Sequence, residues 1–164
     1  MRRYTITIDT NCINVREAVR DLNQLEKWHS LGLIEIVKTD VMDTELRGGA
    51  RLEKSSRLKE DLGVGVVDHS RLGHFVVGGE GVDYPLDELR KILFPNFDKL
   101  TEKSRKRAIK DAMHLATHHM RKRDFFVTMD NHFMKARDEL KKKFNMVILT
   151  PKECAEELRK MGLS

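Results

Sequence analysis

Two β-rich runs, TITIDTN (residues 5–11) and FFVTMDN (125–131), each deliver a carboxylate near their C-terminal end, Asp9 and Asp130. An acid in that place can cap the helix that follows, or it can face a ligand beyond the strand. Two more acids raise the same question. Glu45 falls early in the helix expected after the second strand. Asp111 lies in a long helical stretch beside Ala112, Leu115 and Ala116, which are expected to point inward. Taken singly, Asp9 and Asp130 are as readily caps as ligands, and Glu45 is more often a partner for a helix dipole. Gathered in one cavity, Asp9, Glu45, Asp111 and Asp130 repel one another unless a cation neutralises them. The cation suited to an all-carboxylate donor set is hard and divalent, Mg²⁺ or Mn²⁺. Such an ion acidifies a water and stabilises charge on a phosphoryl oxygen, which is what phosphodiester hydrolysis needs.

A polyanionic substrate also needs positive charge nearby. Residues 99–123 hold nine Lys and Arg side chains, among them Arg105, Lys106, Arg107 and Lys110, against two acids. The net charge of the whole chain is only +5, so it is the local concentration that stands out. Two readings stay open: an electrostatic footprint for nucleic acid, or a solvated helix face.

These side chains need elements to bring them together. YTITI (4–8) reads as a buried strand, and a helix over 14–30 follows from Val15, Ala18, Val19, Leu22, Leu25, Trp28 and Leu31, with Gly32 as its stop. LIEIV (33–37) is a second strand. The next helix is expected to start at Thr39 or Asp40 and to run to about Leu62, past Gly48 and Gly49. Residues 63–85 are glycine-rich and read as a pair of short strands or an irregular insert, without a phosphate-binding glycine fingerprint. PLDELRKIL opens a helix on a proline. Further helices are predicted over 100–122 and 131–144, strands over 125–128 and 146–150, and a last helix from Pro151 to about Lys160 with Gly162 past its end. Strands alternating with helices predict an α/β fold on a mostly parallel sheet. In such folds ligands bind beyond the C-terminal strand edges, at a topological switch point.

At 164 residues the chain is expected to form one domain with a real core, and 40% apolar with 35% charged residues is a soluble composition. No apolar run is long enough to span a bilayer, and MRRYTITID does not read as a signal peptide. Cys12 and Cys154 have no metal or redox spacing. A cytoplasmic protein without a membrane partner is the expectation.

ITIDTNCI, DAMHLATHH, FFVTMDNHF and VILTPKECAEEL, in that order, resemble the PIN-domain family of metal-dependent nucleases. The resemblance covers about 1–47 and 105–160, leaving a family-variable insert at about 50–100 within a single domain over 1–164. It implies a three-layer α/β/α sandwich and Mg²⁺- or Mn²⁺-dependent cleavage of single-stranded RNA. The family's acids carry over onto Asp9, Glu45, Asp111 and Asp130, with Asp43 the rival to Glu45. Asn11 and Thr128 fall where the family places small polar residues that support the acids. His132 stands where many members have a further acid, which puts a second metal position in doubt. The setting is either a toxin, covered by a small antitoxin protein, or an RNA-processing nuclease, and family analogy favours a homodimer.

Other chemistries fit less well. A phosphatase of the Asp-x-Asp-x-Thr kind lacks its second acid, because Asn11 stands there. His114 and His118 are one turn apart, but no Glu follows His114 and no third zinc ligand is evident, so these and His119 read as partly buried or surface residues. Cys12 reads as a packing residue. The alternative from a different class is a catalytically inactive PIN-fold module that binds RNA or protein.

Overall fold

The computed structural model describes residues 2–14, 20–39, 59–61, 63–64, 75–76 and 85–164. Their order is β1 (Tyr4–Ile8), α1 (Thr10–Asn14), α2 (Arg20–Ser30), β2 (Ile34–Thr39), β3 (Lys59–Asp61), β4 (Gly63–Val64), β5 (Phe75–Val76) and α3 (Leu86–Leu93). A 3₁₀ turn (Phe97–Lys99), α4 (Glu102–Met120), β6 (Phe125–Val127), α5 (Asn131–Phe144), β7 (Ile148–Leu149) and α6 (Pro151–Lys160) complete it. The main sheet has five parallel strands in the order β3-β2-β1-β6-β7, and β4 pairs with β5 separately. The chain therefore steps outward from β1 in one direction and then returns to build on β1's other side. The reversal falls between β1 and β6, where Asp9 and Asp130 emerge.

The alternation of side chains along each strand builds two cores. Ile6 and Ile8 of β1, with Phe125 and Val127 of β6, pack against Leu22, Leu25 and Trp28 of α2 and Cys154, Ala155 and Leu158 of α6. Phe126 points the other way, with Ile148, into a cluster of Leu89 and Leu93 from α3, Leu115 and Ala116 from α4, and Phe133, Ala136 and Leu140 from α5. The fold is thus an α/β/α sandwich on a parallel sheet. No helix among the described residues is long and apolar enough to cross a membrane.

Local chemistry sets the helix ends. Thr150 and Glu153 form a reciprocal capping box at the start of α6, with Pro151 at its first turn. Gly162, at φ 98°, follows α6 in a conformation that favours glycine. Asn145 closes α5 at φ 54°, a left-handed conformation that asparagine tolerates.

Two expectations need correction. The helix expected to reach Leu62 does not, because Lys59–Asp61 is a strand, at the edge of the sheet among the described residues, paired with Val37, Lys38 and Thr39. A charged triplet carries no apolar periodicity, and it suits an edge, where charge discourages further pairing. The first helical turn also starts earlier than predicted, at Thr10 directly after Asp9. Residues 40–58, with Glu45, Asp43 and the glycine pair, lie outside the described residues.

Candidate active site

Asp9 leaves β1 with its backbone N–H still bonded to the Val127 carbonyl at 2.9 Å, which extends the β1–β6 pairing to the sheet edge. Its carboxylate is almost buried, 5% exposed. One oxygen accepts the Thr10 N–H at 2.8 Å, and the other accepts the Thr128 hydroxyl at 2.6 Å. Thr128, fully buried, has then given its only proton, and its oxygen accepts the Asp130 N–H at 3.0 Å. A single hydroxyl therefore ties the two strand ends together. Asn11 braces the same turn: its side-chain oxygen accepts the Met129 N–H at 3.2 Å, and its Nδ2 lies 3.5 Å from the Thr128 oxygen.

Asp130 uses its two oxygens differently. Oδ1 caps α5 by accepting the His132 N–H at 2.8 Å, while Oδ2 lies 3.8 Å from the Arg107 guanidinium. Asp111 is nearly buried on α4, 8% exposed. Ser104, Arg107, Ala108 and Asp111 fall at three- and four-residue spacings on one helix face, and together they line a cavity of about 520 Å³. Asp130 and His132 line it from α5's end, and Asn11, Phe94, Leu100 and Met129 line it elsewhere. The first turns of α4 and the N-terminus of α5 both meet this cavity, so their partial positive charges favour anionic groups there.

The structure thus brings Asp111, Asp130 and Arg107 to one cavity, and Asp9 to the same edge through Thr128. Carboxylate oxygens suit a hard divalent cation in chemistry, and the helix N-termini favour the carboxylates rather than the cation. Among the described residues, however, no three His, Cys, Asp or Glu side chains stand together as a metal-holding group. The donor types fit Mg²⁺ or Mn²⁺, and the fit of the complete set turns on Glu45, which lies outside the described residues.

No family model matches the chain, and no curated protein matches it significantly.

The four basic residues singled out on α4 are placed differently from one another. Arg107 lines the cavity. Arg105 instead donates to the Asp98 carbonyl and lies 5.9 Å from the Phe97 ring centroid. Lys106 pairs with Glu102 at 2.9 Å on an exposed face, and Lys110 is half-buried. Sequence reasoning missed Phe94, Leu100, Ser104 and Met129. Their signal is weak: only the cluster FPNF (94–97) between two helices marks an aromatic loop near the site.

The histidines serve another purpose. His114 and His118 are fully buried, deeper than expected, and His119 is half-buried with its ring edge-on to Phe144. Arg123 donates to the Thr7 hydroxyl at 2.9 Å, and that hydroxyl lies 2.9 Å from His118 Nδ1. Burial, with Arg123 and His119 close by, pushes the His118 pKa down to about 3. It is therefore a neutral core imidazole at ordinary pH, hydrogen-bonded to the Thr7 hydroxyl. The cysteines are equally inert. Burial, then the nearby Asp9 charge, pushes the Cys12 thiol up, and burial with Glu157 nearby pushes Cys154 up to about 12.

Proposed function

We propose that this chain is a Mg²⁺- or Mn²⁺-dependent endoribonuclease of the PIN-domain type that hydrolyses phosphodiester bonds in single-stranded RNA. The observation that carries the reading is the convergence at the switch point. Asp9 and Asp130 end the two adjacent central strands, tied through Thr128, and Asp111 and Arg107 face the same cavity from α4.

In this reading Asp111 and Asp130, which share the cavity, would hold the cation together with Asp9 at the same sheet edge and Glu45. When bound, the cation supplies electrostatic stabilisation of the charge that develops on the phosphoryl oxygens. The remaining work falls to the chain's own side chains. Thr128 and the Thr10 N–H fix the Asp9 carboxylate in one orientation, so no reorganisation is needed during the reaction. Arg107, 74% exposed, is placed to engage an RNA phosphate with a planar pair of donors. Asn11 holds the 128–130 turn and so the spacing between the acids. The setting that goes with this activity is cytoplasmic, as a homodimer, acting either as a toxin held by a small antitoxin protein or in RNA processing.

The test is cleavage of a single-stranded RNA by purified protein in Mn²⁺ and in EDTA, beside Asp9→Asn and Asp111→Asn. Cleavage is expected only from the unsubstituted protein with metal, with each variant losing at least about a hundredfold, the scale of removing one electrostatic contribution to a transition state. Equal cleavage by all three preparations overturns the proposal. RNA binding without cleavage by the unsubstituted protein moves the chain to the inactive-module reading.

A further inference from the structure

We propose that Phe94 and His132, with Met129, form a nucleobase-stacking wall in the same cavity, so that one RNA base lies flat beside the acids while its phosphate meets Arg107; this rests on the ribonuclease reading above. The two rings have centroids 5.1 Å apart at an interplanar angle of 40°, and both line the cavity that holds Asp111, Asp130 and Arg107. Neither ring sits on a loose loop. The Phe94 N–H bonds to the Arg90 carbonyl at 2.8 Å, closing α3, and the Phe94 carbonyl accepts from Phe97 at 3.1 Å. Phe94 also packs against the Leu89–Leu93 core cluster. The His132 backbone N–H is held by Asp130, so its exposed imidazole stands at the first turn of α5. Met129, 44% exposed, lies in the chain between the two residues that bridge the strand ends.

The lining therefore divides by chemistry. Phe94, Leu100, Ala108 and Met129 give apolar surface, whereas Arg107, Asp111 and Asp130 give charge. A nucleotide divides the same way, into a planar base with π-faces and an anionic phosphate. At about 520 Å³ the cavity lies within the roughly 300–1,000 Å³ range of small-ligand clefts, room enough for one such unit. Stacking tolerates any base, so the wall positions a single strand without imposing a strict sequence. A paired base keeps its faces covered by its neighbours in the helix, which excludes a duplex from this position.

The experiment titrates the full chain, in EDTA to prevent cleavage, into a single-stranded RNA carrying 2-aminopurine, whose fluorescence is quenched by stacking. Phe94→Leu keeps an apolar group on the core, and His132→Ala changes an exposed side chain, so both variants should fold, as checked by circular dichroism. The unsubstituted chain is expected to bind and quench. Each variant is expected to bind roughly 5- to 100-fold more weakly, the range found when a stacking aromatic is removed, and to lose quenching. A DNA oligomer of the same sequence quenching equally assigns the wall to stacking alone; quenching by RNA only adds a contact to the 2′-hydroxyl. Unchanged affinity and quenching in both variants overturn the wall while leaving the ribonuclease reading standing. Failure of the unsubstituted chain to bind RNA in EDTA overturns the wall, whereas the ribonuclease reading, whose acids need the cation, stands or falls on the cleavage assay in Mn²⁺.

Discussion

Asp130 shows how a single carboxylate can satisfy two readings at once. A cap and a ligand were alternatives in the sequence, yet the side chain has two oxygens. One accepts the His132 N–H, and the other faces Arg107 across the cavity mouth. The two roles separate by substitution. Asparagine caps a helix about as well as aspartate, so Asp130→Asn should keep stability within a few tenths of a kcal/mol. Asp130→Ala removes the cap and should cost about 1 kcal/mol in urea denaturation. If the charge serves the chemistry, both variants lose metal-dependent cleavage alike. Activity that tracked stability, retained in Asn and lost in Ala, would reduce Asp130 to a cap. Asp9 differs, because both of its oxygens already accept hydrogen bonds and almost none of it reaches solvent. Its orientation is fixed by Thr128, a residue whose type alone says nothing of the three groups it joins.

At the scale of elements, legibility followed burial. α5 was predicted over 131–144 and is found there, because Phe133, Ala136 and Leu140 lie on one face and a capping aspartate precedes them. The parallel sheet was legible because strands marked by β-branched and apolar residues alternate with helices along the chain. The edge strand Lys59–Asp61 was not, because its pairing with β2 is a backbone matter that charged side chains do not advertise. The cavity was half legible: Asp130 was named from its place after a strand and Asp111 from its inward-facing helix neighbours, whereas the aromatic side comes from a turn, 94–100, brought in by tertiary packing. His118 was read as a partly buried or surface histidine, but it ties α4 to β1 through the Thr7 hydroxyl, which Arg123 also contacts. Its pKa near 3 in the folded chain lies below the ordinary value of 6.5. The unfolded chain therefore binds the extra proton between those pH values. The His118 contribution is complete above about pH 6.5 and is lost as pH falls toward 3, by up to about 1.4 kcal/mol per pH unit. Urea midpoints measured from pH 7 to pH 4 should fall more steeply for the unsubstituted chain than for His118→Gln. Parallel slopes would mean that the imidazole takes up its proton alike in the folded and unfolded chain.

For the whole molecule, the arrangement of charge matters more than its sum. The basic stretch 99–123 looks like one surface in the sequence, but α4 is 19 residues long and so spans about 28 Å. Arg107 stands at the acid-bearing edge of the sheet. Lys122 and Arg123 stand at the other edge, where with Arg2 they line a separate cavity of about 590 Å³ that also contains Asp124, itself paired with Arg2. Arg123 is buried there and hydrogen-bonded to Thr7, a structural use of its charge. An RNA strand drawn to the acids should therefore feel one end of α4 only. Each phosphate contact on a single strand contributes about 0.7 to the slope of log affinity against log salt. Joint reversal, Arg105→Glu with Arg107→Glu, should flatten that slope by up to about 1.4 and weaken binding. The larger share should come from Arg107, because Arg105 is held against Asp98 and Phe97. Lys122→Glu should leave the slope unchanged in the same titration. Equal flattening by Lys122→Glu would mean that the strand runs the length of α4 and touches both edges, and the basic stretch would then be the continuous track that the two separate cavities argue against.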